Sequence, residues 1–220
     1  LKDYYQLNLC EHELIVKLQS KKEFQNIAEF YKFPVPKANI ITTSTDIQSI
    51  RDLEFPCVFK PLEQNPEYSK KFKKAYKVNS LDEVATLYSE IKLCCPEMIL
   101  QEWLEGPDSN IYFCLAYCDT FGNVISHFTG RKIRSWPIQV GGTASCTSAF
   151  DSDHELLALT QSFTKNISYQ GLIGIEYKFD VIRNKFYMIE PTVGRTDYQH
   201  EIAALSGCNY LEHMITHFGG

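Results

Sequence analysis

Glu176 and Glu190 are the residues of this chain whose type and placement most invite chemistry. Glu176 sits within, and Glu190 directly follows, a short run of apolar, aromatic and β-branched residues, Leu172 to Phe179 and Lys185 to Ile189, where a strand would be expected to bury something apolar. The two runs flank Arg183-Asn184 and predict a β-hairpin. Pairing about that turn sets residues whose numbers sum to about 367 opposite one another, which places Glu176 near position 191 and Glu190 near 177. The carboxylates then become approximate cross-strand neighbours, with Cβ atoms about 5 Å apart. Two anions that close repel unless a cation lies between them. Magnesium suits the position, because one or two carboxylates hold it while water and substrate phosphates complete its shell. A half-exposed hairpin with two solvated acids satisfies the same pattern.

Cations elsewhere in the chain could serve phosphate. Lys60 closes the compact apolar strand Phe55 to Lys60, and a lysine at the end of a buried strand presents a fixed point charge to phosphate oxygens. A snorkelling strand-end lysine is the plainer alternative. Residues 63 to 77 contain no glycine but carry Lys70, Lys71, Lys73, Lys74 and Lys77. Lys74 opens the strand Ala75 to Val78, and the stretch before it reads as a basic loop, solvated for most of these lysines. Arg131-Lys132-Ile133-Arg134 follows a second hairpin, Ile111 to Cys118 and Asn123 to Gly130; in a regular strand Lys132 and Arg134 share one face.

The elements that must position these groups alternate between helix and strand. Apolar spacing over 11 to 32 predicts two helices, the second capped by Ser20 with Glu23 three residues on. Ala38 to Thr42 reads as extended, Ser44 or Thr45 caps a helix to Ile50, and Ser80 caps another reaching about Lys92. Met98 to Leu104 is a strand broken at Glu105-Gly106-Pro107. Asp151 to Asn166 reads as a helix, Asp197 to Leu205 follows the hairpin, and a last helix starts at Tyr210. His200, His213 and His217 do not reproduce a zinc-protease spacing and read as surface or cap residues.

With 220 residues the chain has material for one large or two small domains. Its 44% hydrophobic and 22% charged residues are ordinary for a soluble globular protein. No apolar run approaches the roughly 18 residues of a membrane span, and no leader pattern opens the chain, so the expectation is a soluble, cytoplasmic protein without a membrane partner. The net charge of −5 speaks against a nucleic-acid partner. Eight cysteines with no C-x-x-C pair read as reduced, buried thiols. The chain opens at Leu1 with no initiator Met, as expected of a fragment or processed product.

Taken in order, these segments resemble the ATP-grasp fold over nearly the whole chain. There a strand with an acid leads by a short turn into a strand ending Glu-x-Asn-x-Arg; here Glu190-Pro191-Thr192 and Arg195 replace it, with Thr192 at the Asn position and Arg195 one residue late. The helix with Lys21, the Pro34 to Pro36 turn and the strand ending Lys60-Pro61 match the family's opening passage. The glycine-rich phosphate loop expected next is missing, and Lys74 is the side chain best placed to replace it.

The resemblance implies an α/β (α+β) fold, two subdomains with antiparallel sheets clamping the nucleotide: lead-in helices over 1–36, a small subdomain over 37–104 and a large one over 105–220, a preceding domain being absent. It implies ATP and magnesium, or manganese in its place, as cofactors. The metal ligands would be Glu176, Glu190 and Thr192. Lys21, Lys60 and Lys74 would meet phosphates. Gln101, the Glu102-Trp103-Leu104 backbone and Asp108 would meet adenine and ribose. Arg195, Lys132 and Arg134 would serve the transferred group or the acceptor, and Gly141-Gly142 would form a substrate-side turn. The branch most resembled is that of the carboxylate-amine ligases, D-aspartate ligase-like, which join a carboxylate to an amine through an acylphosphate; a homodimer is compatible with it. A nucleotide-binding module without catalysis and a small-molecule kinase are the alternatives.

Overall fold

The computed structural model describes residue 4 and residues 7–63, 65–136, 142–196 and 199–218. Gly141, of the expected substrate-side turn, and Asp197 lie outside the described residues. The chain divides into two compact units, one made of 35–105 and the other of 1–34 with 106–220.

The smaller unit is a four-stranded antiparallel sheet with helices. Its strands are β1 (Ala38–Ile41), β2 (Cys57–Pro61), β3 (Tyr76–Val78) and β4 (Met98–Glu102), in the order β1-β4-β2-β3. One apolar core gathers Ile41, Phe59, Val78, Val84, Tyr88, Ile91 and Leu100. Pro61 does not stop the strand but ends it inside the ladder, opposite Met98. Its missing N–H costs nothing there, because the pairing with β3 stops at Phe59.

The first helix of this unit starts one residue earlier than the sequence suggests. Thr43 is its cap, in a reciprocal capping box with Asp46. The basic stretch also differs from the loop expected of it. Asn65 accepts from the Tyr68 amide and Pro66 opens a helix, Pro66–Lys71. Asn-Pro at a helix start is a legible signal that the dense lysines obscured. The helix after it, Leu81–Ile91, is capped by Ser80 as expected.

The larger unit is built on a five-stranded antiparallel sheet. With β5 (Ile111–Cys118), β6 (Val124–Trp136), β7 (Gly142–Ser148), β8 (Gly171–Asp180) and β9 (Lys185–Val193), the order is β7-β6-β5-β8-β9. The second hairpin runs further than its apolar pattern suggested: β6 continues through the basic stretch to Trp136. The small residues from Gly142 on form a strand pairing with it, where a turn was expected.

The two faces of this sheet have separate cores. On one, Tyr177 is fully buried and its hydroxyl meets Thr160 of the helix Asp153–Asn166 at 2.8 Å. Asp153 ties that helix to β6 by accepting from the Thr129 hydroxyl at 2.6 Å. Phe24, from the second of the two opening helices (His12–Gln19 and Lys21–Phe30), packs edge-on against Phe163. Residues 1–34 thus belong with the larger unit, where a lead-in segment was expected. On the other face Phe113, Leu115, Tyr117 and Phe128 pack with Ala203 and Tyr210 of the last two helices, His200–Leu205 and Tyr210–Phe218.

The turn between β8 and β9 is set by Asp180, whose side chain is 1% exposed. It accepts from the amides of Ile182 (2.8 Å) and Arg183 (3.0 Å) and from the Arg183 guanidinium (2.8 Å). Burial pushes the pKa of Asp180 up, but these bonds outweigh it and hold the group below the ordinary carboxylate value. A depressed folded pKa gives stability that is present above the unfolded value near about 3.9 and is lost as pH falls through the folded one. Asp180→Asn is therefore expected to lower the urea midpoint at pH 7, with the difference from wild type narrowing as the pH is taken down to 3.

Candidate functional site

The hairpin brings the two acids together more closely than the sequence-based register required. Glu176 pairs directly with Glu190, because a bulge between Glu176 and Tyr177 shifts the ladder by one residue before the acids are reached. Directly opposed residues of an antiparallel pair share a face, with Cβ atoms about 5 Å apart. Thr192 lies on that same face, opposite Gly174. Glu190 is exposed and Glu176 half-buried.

Glu176 also holds a cation. The Lys132 ammonium lies 2.8 Å from it, and the lysine side chain is only 4% exposed. Lys132 stands on β6 and Glu176 on β8, with β5 between them. The lysine therefore reaches across a whole strand, a pairing that no short sequence window reveals. Phe113, directly opposite both Glu176 and Gly130, fixes that row. A methyl group on Gly130 would collide with the Phe113 ring, so the ring leans toward β6.

Arg134 does not accompany Lys132. The register of β6 on β7 breaks on both sides of Arg134, and while Lys132 pairs with Cys146, Arg134 pairs with the next residue of β7, Ser145. Adjacent strand residues face opposite ways, so the bulge undoes the shared face that a regular strand would give. Arg134 is exposed.

Arg195 follows Gly194, which adopts φ +72, a conformation that favours glycine. The Gly194 amide donates to Leu172 O at 3.0 Å and to the Tyr169 hydroxyl at 2.8 Å. Tyr169 is fully buried and donates in turn to Leu172 O at 2.7 Å. This anchor holds the exit of β9, and with it the late Arg195, in place. Sequence patterns gave Tyr169 no role. Lys21 is the first residue of its helix and is half-buried. Asp108 opens a short 3-10 helix and accepts from the Ser135 amide at 3.1 Å, so part of its accepting capacity already serves the fold.

In the smaller unit Lys60 and Gln101 do meet, the ammonium donating to Gln101 Oε1 at 3.3 Å. They share a face because Val58, two residues before Lys60, pairs with Gln101. The amides of Glu102 and Trp103 donate to Lys37 O and Pro56 O, so both are engaged within the fold. Lys77 lies 4.5 Å above the centre of the Trp103 ring and pairs with Glu105 at 3.2 Å. Lys74 is exposed.

No three His, Cys, Asp or Glu side chains converge on a metal position among the described residues. Two opposed carboxylates and a neighbouring hydroxyl are a hard oxygen set, and they fit a magnesium-like ion whose remaining ligands are water and phosphate. All eight cysteines are free thiols, and burial pushes that of Cys114 up to about 12. No helix among the described residues is long and apolar enough to cross a membrane.

Comparison with solved structures decides the fold. The chain superposes on the biotin carboxylase domain of Hydrogenobacter thermophilus 2-oxoglutarate carboxylase, a complex with MgADP, ADP and bicarbonate, with a TM-score of 0.67. That match has 14% identity and covers 88% of this chain and 43% of the other. A biotin carboxylase–βγ-ATP complex from Campylobacter jejuni gives a TM-score of 0.67 at 18% identity, over 90% of this chain and 45% of that one. The fold is that of an ATP-grasp domain.

In sequence, this ATP-grasp chain is 23% identical over 227 residues to a D-aspartate ligase of Enterococcus faecium (strain Aus0004). The match takes in 98% of the chain but 53% of the relative, so the chain spans about half the length of that curated protein. No family model matches the chain.

Proposed function

We propose that this ATP-grasp domain belongs to an ATP-dependent ligase that joins a carboxylate to an amine and releases ADP and phosphate. The observation that carries the reading is the direct opposition of Glu176 and Glu190 on one sheet face, with a buried lysine beside them. The D-aspartate ligase relative supports the choice of carbon–nitrogen bond formation.

A carboxylate resists attack by an amine because its leaving group would be oxide. Attack of a carboxylate oxygen on the γ-phosphorus breaks the bond to ADP and forms an acylphosphate. The amine then adds to the acyl carbon, phosphate leaves, and the amine loses a proton. Positioning and charge stabilisation dominate such transfers, so little proton chemistry is asked of side chains. Glu176 and Glu190, with Thr192 beside them, would hold a divalent ion, which when bound neutralises charge on the phosphate oxygens.

Lys132, 2.8 Å from Glu176, has charge to offer the transferred group, and Arg195, beyond the Tyr169 anchor, is assigned to offer more. Arg134, turned away from Lys132, is assigned instead to the acceptor side. Lys21, Lys60 and Lys74 are assigned to phosphates, Gln101 and the Glu102 to Leu104 backbone to adenine, and Asp108 to ribose. Trp103, already capped by Lys77, contributes its backbone.

The test uses the full-length protein with ATP, magnesium and panels of amino acids, following ADP release. A carboxylate and amine pair that stimulates release, with hydroxylamine trapping an acyl hydroxamate, is the expected result. ATP binding without stimulation by any pair would point to a module that binds nucleotide only. Phosphate transfer to an alcohol without hydroxamate would point to a kinase.

A further inference from the structure

We infer that Lys132 is a resident counter-cation that makes Glu176 a poor metal ligand until a nucleotide supplies other partners for the ammonium, so that metal and nucleotide bind cooperatively. The inference rests on the reading of Glu176 and Glu190 as the metal carboxylates, and deepens it. Three observations support it. The Lys132 side chain is 4% exposed, so its charge needs a carboxylate close by, and Glu176 at 2.8 Å supplies it. Glu190 stands directly across from Glu176 and is exposed, so an ion bridging the pair would settle close to the ammonium. The sheet order places one strand between Lys132 and Glu176, so the two meet through their side chains across β5 and not through the backbone ladder.

The physical consequence is a competition. A divalent ion approaching Glu176 meets a fixed positive charge and must share or displace it, which weakens binding of the bare ion. Phosphate oxygens of a nucleotide offer the ammonium acceptors at least as good as Glu176. Once it moves to them, Glu176 is released to join Glu190 on the ion, and the lysine is already at the group to be transferred. Because coupling free energies are reciprocal, the ion raises nucleotide affinity by the same factor.

The test is manganese binding, read by electron paramagnetic resonance of the free ion, on the intact protein with and without ADP. Without nucleotide, Lys132→Met is expected to bind manganese about tenfold more tightly than wild type, and Lys132→Gln to behave likewise. Lys132→Arg, which keeps the charge, stays weak. The gain disappears in Lys132→Met/Glu176→Gln. With ADP present, wild type and Lys132→Met converge to within about threefold.

Unchanged or weaker manganese binding in both neutral variants would overturn the inference, as would a gain that survives loss of Glu176. If ADP binds none of these proteins, the proposed function fails, while the nucleotide-free comparison still tests the role of Lys132.

Discussion

Glu190→Gln is expected to leave folding untouched and to lower ATP turnover by about a hundred- to a thousandfold, the range seen when one preorganised electrostatic contact to a transition state is removed. Glu190 is exposed on β9, and glutamine keeps its volume and its hydrogen-bonding length, so thermal unfolding should match wild type. What changes is charge. With Glu176 already shared with Lys132, Glu190 is the carboxylate of the pair with more freedom to meet an added cation. The loss should fall on kcat, with a smaller change in KM for ATP, because adenine and ribose contacts are assigned to other residues. Steady-state kinetics over a range of magnesium concentrations check this. A variant with normal turnover at every magnesium concentration would remove Glu190 from the reaction.

Most elements of this fold were legible because local chemistry and final structure agree. Ser20 and Ser80 cap the helices that their spacing to Glu23 and Glu83 predicts. The apolar runs at Phe55 and Met98 become neighbouring strands. The hairpin carrying both acids was readable from its alternation, and only its register slipped, since the turn takes four residues, 181–184, and the bulge beyond Tyr177 recovers one position of the difference. The misses in the larger sheet share one cause: the deciding partner lies far away in sequence. β7 is made of Gly, Thr, Ala, Ser and Cys, with little strand character of its own, and exists because β6 offers it an edge. The bulge that separates Arg134 from Lys132 likewise arises in that pairing. Lys132 looks like any surface cation of a basic run until the sheet order carries it across β5 to Glu176.

That buried pairing gives Glu176 a second duty that Glu190 lacks, and the two acids should separate cleanly in stability. Glu176→Gln leaves the Lys132 ammonium without its carboxylate in a position that is 4% exposed, and an uncompensated buried charge of this kind costs on the order of 3 kcal/mol. For a chain of this size that corresponds to a melting temperature lower by about 6–12 °C. Because glutamine still offers an oxygen, the loss should be smaller than for Glu176→Ala. Removing both charges should restore much of it: in Glu176→Gln/Lys132→Met the methionine replaces a desolvated ammonium by an apolar side chain of similar length, a change that is often neutral or stabilising in buried pairs. Differential scanning calorimetry of the two single variants and the double variant closes the cycle. A Glu176→Gln melting point equal to wild type would mean that the ammonium finds another acceptor, and the pair would then lose its structural role; a double variant no more stable than Glu176→Gln would place the loss in Glu176 packing and not in the stranded charge.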